Sequence, residues 1–263
     1  MGRAKPNSGS RARFPTRTVF ITGTDTGVGK TVLTALLLQH LRSGGWRAAA
    51  MKPWCSGGRA DAELLHALHD GMLTLAEVNP YHFRPPVAPL VAARRAGRTV
   101  SLAEVLRSIA AVRRELLSTP QPTRVKGRRG RSPSCGCLLI EGCGGLLAPL
   151  GDGYTLLDVI ETLGGEVIVV AANRLGTINH TLLSIRALHN AGLQSTALKV
   201  VLMNHHRRDA SCASNASLLS ELLAPIALFN IPFLGQRCAT APAIKRAAST
   251  LSHTLALIDA VRG

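Results

Sequence analysis

The chain has 263 residues, of which 46% are hydrophobic and only 3% aromatic, so it can form one domain with an aliphatic core. No apolar run approaches the roughly 18 residues that a membrane-spanning helix needs, which argues against an integral membrane protein. The formal net charge of +16 is typical of a nucleic-acid-binding protein, but this charge is unevenly placed.

Two acid-free segments hold much of the positive charge. Residues 1–17 and residues 118–136 each carry five Lys or Arg side chains, so the rest of the chain is only modestly basic. We interpret residues 1–17 as a disordered basic tail and residues 118–136 as a disordered basic insertion in a single domain at 18–263. Solvated charge runs of this kind do not predict binding to nucleic acid or to a membrane.

The six cysteines predict no metal site or disulfide framework. None of them forms a C-x-x-C pair, and no zinc-like spacing is present. We therefore expect reduced thiols and a cytoplasmic location.

The hydrophobic pattern alternates between short strands and helices. In chain order it predicts a strand at 18–22, a helix at 30–42, a strand at 47–51, helices at 60–70, 87–96 and 102–117, a strand at 137–140, a helix at 156–163, a strand at 167–172, a helix at 177–191, a strand at 198–203, a helix at 214–223, a strand at 226–229 and a helix from about 243. This alternation is typical of an α/β fold with a mostly parallel central sheet and helices on both faces. Ligands of such sheets bind beyond the carboxyl ends of the strands.

A glycine-rich segment at 23–31 lies between the first predicted strand and helix. Backbone N–H groups and a helix N-terminus at such a turn can surround phosphate oxygens. Lys30 would reach the β- and γ-phosphates, and Thr31 would place a hydroxyl on Mg²⁺. The loop is a variant, because Thr24 occupies the position of the usual first glycine. This segment predicts a nucleotide-binding P-loop.

Two further segments follow predicted strands and carry charged side chains. Lys52, after the second strand, could neutralise charge on a transferred phosphoryl group, and Ser56 could orient a substrate. Glu141, after a wholly apolar strand, is well placed for Mg²⁺, and Asp61 is a second candidate ligand. Each of these residues, taken alone, could equally be an ordinary surface or helix-start residue.

Together these segments resemble the dethiobiotin synthetase family. The motifs are Gly-Thr-Asp-Thr-x-Val-Gly-Lys-Thr at 23–31, Lys-Pro-x-x-Ser-Gly at 52–57, Asn-Pro-Tyr-x-Phe at 79–83, Glu-Gly-x-Gly-Gly at 141–145 and Leu-Gly-Thr-Ile-Asn-His at 175–180. The resemblance implies a homodimeric, Mg²⁺-dependent ligase of biotin biosynthesis. It would form the ureido ring of dethiobiotin from 7,8-diaminononanoate, CO₂ and ATP, through a carbamate and a carbamic–phosphoric anhydride.

The resemblance also implies roles for individual residues. Lys52 would be catalytic, and the metal would be held by Thr31, Asp61 and Glu141. The substrate would contact Ser56, Thr26, Thr177 and Asn179, the last two from a helix N-terminus across the dimer interface. The nucleotide would be held by Gly27, Val28, Gly29, Lys30, Thr31, Asp61, Glu141, Gly142, Cys143, Gly144, Asn204, Pro232, Phe233 and Leu234.

Some residues depart from the family pattern. Cys55 and Cys143 stand where small residues such as Ala are expected, and both should act as small apolar groups. His205 stands where an acid is common, which leaves the preferred nucleotide open.

A partitioning-type ATPase, which acts as a nucleotide switch on DNA or membrane, is the alternative interpretation. The two basic segments favour it. The absence of an additional lysine from residues 22–25, at the start of the loop, speaks against it.

Overall fold

The computed structural model describes residues 16–118 and 136–260. Its strands are β1 (Arg17–Gly23), β2 (Arg47–Met51), β3 (Trp54–Ser56), β4 (Tyr81–Phe83), β5 (Gly136–Glu141), β6 (Glu166–Ala172), β7 (Leu198–Met203) and β8 (Ala227–Ile231). Six of them form a wholly parallel sheet in the order β2-β5-β1-β6-β7-β8, and β3 pairs with β4 in a separate parallel ribbon.

Ten α-helices of the described residues surround the sheet: α1 (Lys30–Ser43), α2 (Ala60–Ala67), α3 (Leu75–Val78), α4 (Pro89–Arg95), α5 (Leu102–Ser118), α6 (Leu156–Leu163), α7 (Thr177–Asn190), α8 (Asn215–Leu223), α9 (Ala241–Thr250) and α10 (Ser252–Asp259). Every residue of β5 and β7 is buried, so the sheet is covered on both faces. Their continuous apolar sequences are what such a doubly covered parallel sheet requires.

The predicted α/β fold with a mostly parallel sheet is confirmed, and the predicted elements match to within three residues at each end. The elements β3, β4 and α3 were not predicted. Each is only three or four residues long, and breakers at Pro53 and at Asn79-Pro80 hide their pattern. The predicted last helix is two helices, α9 and α10.

The first strand, β1, begins one residue before residue 18, where the predicted domain starts. Arg17, which was assigned to the basic tail, is the first residue of β1 and bonds to the carboxylates of Glu166 and Asp259. Lys199 donates to the same Glu166 at 3.1 Å. These contacts fasten α10 to the amino ends of three strands. The rest of the predicted tail, residues 1–15, and most of the predicted insertion, residues 119–135, lie outside the described residues.

The sheet order brings the predicted site segments together. β1 lies between β5 and β6, and β2 lies beside β5, with Met51 paired to Ile140 and Ile21 paired to Glu141. The segments that follow β1, β2 and β5 therefore meet at one edge of the sheet.

Candidate active site

The phosphate loop runs from the end of β1 to the start of α1. Gly27 and Gly29 have φ angles of 68° and 104°, a left-handed conformation that glycine adopts without strain. Gly23 is also constrained, because a Cβ there would lie 3.0 Å from Lys30 Nζ. The loop therefore turns tightly and leads into the amino end of α1, which is a favourable place for an anion.

Lys30 is 6% exposed, and its Nζ donates to the carbonyl oxygen of Asp25 at 2.7 Å. Burial lowers the pKa of Lys30, and the attraction of Glu141 only partly offsets this effect. An ammonium carries three N–H donors, so the bond to the loop leaves it able to donate to a phosphate as well.

Lys52 lies at the centre of a cluster of polar groups. Its Nζ donates to Glu141 Oε1 at 2.7 Å, to Thr31 Oγ1 at 3.3 Å and to the carboxylate of Asp61. The Thr31 hydroxyl also donates to Glu141 Oε1 at 2.6 Å. Residues from the ends of β2 and β5 and from the starts of α1 and α2 thus converge on one ammonium group.

Burial and charge act in opposite directions in this cluster. Burial disfavours the charge of Lys52, but Glu141 and Asp61 outweigh it and raise the pKa of the ammonium. Burial likewise opposes the charge of Asp61, yet Lys52 lowers the pKa of that carboxyl. Lys52 and Asp61 therefore stay charged across the neutral pH range.

Glu141 is fully buried, and its Oε2 accepts no hydrogen bond from the described residues. A buried carboxylate oxygen without a partner is costly unless a further group completes it. Together with the Thr31 hydroxyl and the half-exposed Asp61 carboxylate, it offers the hard oxygen ligands that Mg²⁺ prefers. The described residues contain no cluster of three or more His, Cys, Asp or Glu side chains that would hold a metal without further ligands.

A cleft of about 710 Å³ opens beside this cluster. Its walls include most of the predicted loop, metal and substrate residues together with a proline-rich segment at 86–89. The lining residues are Thr26, Gly27, Gly29, Lys30, Thr31, Val32, Lys52, Cys55, Ser56, Gly58, Asp61, Pro86, Val87, Ala88, Pro89, Glu141, Cys143, Gly144, Gly145 and Ala148.

The proline-rich wall was not among the predicted site segments. A Cβ on Gly57 would lie 3.1 Å from Pro86 Cβ, so the segment packs closely against the turn after Ser56. A run of prolines directly after the Asn-Pro-Tyr-x-Phe motif was the available signal.

Cys55 and Cys143 contribute thiols to the cleft. Burial raises the pKa of Cys55 to about 12 and also raises the pKa of Cys143. Both side chains are therefore neutral at physiological pH and act as small apolar groups. The described cysteines are free thiols, and the cytoplasmic location stays a prediction.

The predicted base-binding residues, Asn204 and residues 232–234, do not line the cleft. Asn204 follows Met203, whose Cε lies 3.1 Å from the position that a Cβ on Gly29 would occupy. The Asn204 backbone N–H donates to the Ile231 carbonyl at 3.0 Å, which brings residues 232–234 alongside. The Phe233 ring is 42% exposed and lies beside the His206 ring, with the centroids 5.8 Å apart.

The predicted substrate residues of α7, Thr177 and Asn179, also do not line the cleft. Thr177 is buried and its Oγ1 accepts or donates no hydrogen bond within the described structure, whereas Asn179 is exposed. Arg174, just before α7, forms an ion pair with Asp25 of the phosphate loop at 3.4 Å. The start of α7 is therefore tied to the loop, although neither Thr177 nor Asn179 lines the cleft.

No helix within the two described ranges is long and apolar enough to cross a membrane.

Comparisons with known proteins agree with the motifs. A family model described as "AAA domain" matches residues 17–236. The "ATP-dependent dethiobiotin synthetase BioD" of Anaeromyxobacter dehalogenans (strain 2CP-C) is 36% identical over 91% of this chain and 97% of its own length. The protein of the same name from Anaeromyxobacter sp. (strain Fw109-5) is 42% identical over 69% of this chain and 75% of its own length.

Among solved structures, the MinD cell division protein of Aquifex aeolicus matches with a TM-score of 0.50 and 13% identity, covering 90% of this chain and 97% of that chain. At that identity the likeness shows the fold alone.

Proposed function

The chain belongs to the ATP-dependent dethiobiotin synthetase family, and from that premise we propose that its cleft closes the ureido ring of dethiobiotin. The substrates are 7,8-diaminononanoate, CO₂ and ATP, and the products are dethiobiotin, ADP and phosphate. The observation that carries the proposal is the placement of the buried Lys52 ammonium between Glu141 and Asp61, beside Thr31 at the end of the phosphate loop.

The proposed chemistry has three steps. One amine of the substrate adds to CO₂ and loses a proton, giving a carbamate. A carbamate oxygen then attacks the γ-phosphorus of ATP, and ADP leaves, which gives a carbamic–phosphoric anhydride. The second amine attacks the carbonyl carbon and loses a proton, and phosphate leaves as the ring closes.

The side chains that face the cleft suit phosphoryl transfer to a carboxylate-like nucleophile. Such a transfer depends on positioning and on charge stabilisation rather than on a strong general base. We assign Lys52 to the carbamate and the transferring phosphoryl group, and Lys30 to the β- and γ-phosphates. Thr26 and Ser56, which both line the cleft, contact the diamine substrate in this proposal.

We propose that Thr31, Asp61 and Glu141 hold Mg²⁺. When bound, the ion would neutralise phosphate charge and orient the triphosphate. The unpartnered Glu141 Oε2 supports this assignment. We assign Gly142, which directly follows Glu141, to the nucleotide-binding turn; a Cβ there would lie 2.4 Å from Leu156 Cδ2, and glycine avoids that overlap.

We assign the adenine base to Asn204 and to the segment Pro232, Phe233 and Leu234. An asparagine amide can bind adenine through two hydrogen bonds, and an exposed aromatic ring offers a surface for stacking. The position of Asn204 one residue beyond Met203, which touches the phosphate loop, supports this assignment.

We propose that the enzyme is a homodimer in which Thr177 and Asn179 of one chain bind the substrate carboxylate in the partner's cleft. A helix N-terminus suits an anion, and these residues do not line their own cleft. Leu175, two residues before α7, is 80% exposed, and a dimer interface would cover this apolar side chain.

Phosphate release measured with and without 7,8-diaminononanoate tests the reaction, with bicarbonate, Mg²⁺ and ATP held constant. We expect diamine-dependent release that falls on the order of 10²–10³-fold in Lys52→Met. Lys199→Met is the matched control, since Lys199 is a similarly buried, ion-paired lysine near the amino ends of the strands, away from the cleft. Phosphate release that does not depend on the diamine but increases with DNA or lipid vesicles would instead support the nucleotide-switch alternative.

Mixing two inactive variants tests the dimeric site. Lys52→Met and Asn179→Leu should each be inactive alone, but a mixed dimer has one cleft with neither change. Random mixing should therefore restore about a quarter of the wild-type activity. Tagged chains would verify that the subunits have exchanged. If activity is still not restored, Asn179 does not act in the partner's cleft.

A further inference from the structure

A chain of side-chain hydrogen bonds connects the carboxyl ends of β6, β7 and β8. Asn215 Nδ2 donates to Asn173 Oδ1 at 2.9 Å, and Asn173 Nδ2 donates to Asn204 Oδ1 at 2.8 Å. Asn204 Nδ2 then donates to the Ile231 carbonyl oxygen at 3.1 Å. All three bonds run in the same direction, from α8 towards β8.

This chain is buried where it begins. Asn173 is 4% exposed and Asn215 is 2% exposed, so neither amide can exchange its protein partners for bulk water. The Asn173 backbone N–H donates to the Met203 carbonyl at 2.8 Å, which fixes the main chain as well. The two side chains therefore form a rigid support behind Asn204.

The partners fix which way round each amide lies. Turning the Asn204 amide over would place its N–H groups against the Asn173 donor and its oxygen against the Ile231 carbonyl. Asn173 cannot turn over to accommodate this, because its Oδ1 accepts from Asn215 and its Nδ2 also reaches the Cys212 carbonyl at 3.3 Å. The orientation of Asn204 is thus set by residues that lie behind it.

The bonds within the protein use only half of the Asn204 amide. One of its two N–H groups and one of the two acceptor positions on its oxygen remain for a ligand. Such a donor and acceptor pair complements the N7 acceptor and the 6-amino donor of adenine. A 6-oxo purine presents acceptors at both positions and would oppose Asn204 Oδ1.

We infer that Asn173, held by Asn215, is a positioning residue that makes this site prefer 6-amino over 6-oxo purine nucleotides. This inference rests on the proposed contact between Asn204 and the base. It assigns nucleotide selection to an asparagine that does not itself touch the nucleotide.

The test compares the dissociation constants of ADP and inosine diphosphate by calorimetry, a readout that needs no turnover. A two-bond contact predicts that the wild-type protein binds ADP roughly 5- to 150-fold tighter than inosine diphosphate. Asn173→Val, which loses the donor, should reduce this ratio about 2- to 10-fold, the effect of one hydrogen bond. Asn173→Ser keeps a hydroxyl donor and should restore part of the ratio.

A second variant guards against simple misfolding. Asn215→Leu removes the donor to Asn173 Oδ1 without burying a charge. It should free the Asn173 amide to turn over, release Asn204 and lower the ratio without any change next to the base. Thermal unfolding of each variant confirms that the compared proteins are folded.

The outcomes separate the inference from the proposed function. If folded variants bind ADP and inosine diphosphate more weakly by the same factor, Asn173 is merely structural. Equal binding of both nucleotides by the wild-type protein would remove Asn204 from base recognition and overturn the inference. Loss of diamine-dependent phosphate release in the wild-type assay, with the ADP preference intact, would overturn the reaction but not the positioning role.

Discussion

Replacing Lys52 by methionine should destabilise the protein as well as inactivate it. Lys52 is 6% exposed and Glu141 is fully buried, and Lys52 Nζ lies 2.7 Å from Glu141 Oε1. Removing the ammonium leaves a buried carboxylate whose donor within the described structure is the Thr31 hydroxyl. Breaking a buried ion pair in this way typically costs about 3–5 kcal/mol of folding free energy.

The partner substitution should cost less. In Glu141→Gln the ammonium keeps Asp61, whose side chain is 54% exposed and so brings water to the pair. We expect a loss of about 1–3 kcal/mol, that of a charged hydrogen bond. In the double variant no charge is left buried without a partner, so it should recover about 1–4 kcal/mol relative to Lys52→Met.

Urea unfolding followed by circular dichroism measures these differences, with nucleotide and Mg²⁺ absent. A loss of 3–5 kcal/mol should lower the midpoint by more than about 1 M if the urea slope is about 3 kcal/mol/M. An unchanged midpoint in Lys52→Met would refute the buried, charged pair. A double variant no more stable than Lys52→Met would assign the loss to packing rather than to the unpaired carboxylate.

Three further predictions concern folding stability rather than catalysis. The His69 imidazole accepts a hydrogen bond from the Ala50 N–H, and burial lowers its pKa to about 4. Below pH 6.5 the unfolded chain therefore binds a proton at this histidine that the folded chain does not bind, so the free energy of unfolding should fall by about 3 kcal/mol between pH 6.5 and 4. Urea titrations of His69→Gln should not show this loss. Arg17→Met should destabilise the protein by about 1–3 kcal/mol, because Glu166 loses a charged hydrogen bond but keeps Lys199 at 3.1 Å, and an unchanged melting temperature would contradict this. Gly142→Ala should cost about 1–3 kcal/mol through overlap with the neighbouring leucine side chain of α6, and trimming that leucine to valine should recover most of the loss.

Much of this architecture could be predicted from the sequence because parallel strands buried on both faces are continuous apolar runs. The runs at β5 and β7 stand out against polar loops, and a glycine-rich turn before α1 marks the phosphate loop. Strand ends were also a sound guide to the site, since parallel strands place their carboxyl ends at one edge.

The contacts that the sequence did not reveal depend on which strands are neighbours. That Lys52 would lie against Glu141 follows from the pairing of β2 with β5, strands separated by more than 80 residues of chain. The support of Asn204 by Asn173 likewise depends on the adjacency of β6 and β7. Single asparagines after strands are too common to indicate such a network before the sheet order is known.

The charges that line the cleft give a separate reason to expect a divalent cation. Its charged residues among those described are two lysines, Lys30 and Lys52, and two acids, Asp61 and Glu141, so their formal charges sum to zero. A triphosphate therefore meets no excess of positive side-chain charge, and the amino end of α1 supplies only a fraction of one charge. Mg²⁺ would supply the charge that the side chains do not.

This balance predicts how the affinity for ATP depends on Mg²⁺. Removing Mg²⁺ with a chelator should weaken ATP binding by at least roughly tenfold, or about 1.4 kcal/mol, in calorimetric titrations. Glu141→Gln gives the cleft one net positive charge, so it should bind metal-free ATP more tightly than the wild-type protein while gaining less from Mg²⁺. Equal ATP affinity with and without Mg²⁺ in the wild-type protein would contradict the argument, because the neutral cleft would then be holding the triphosphate unaided.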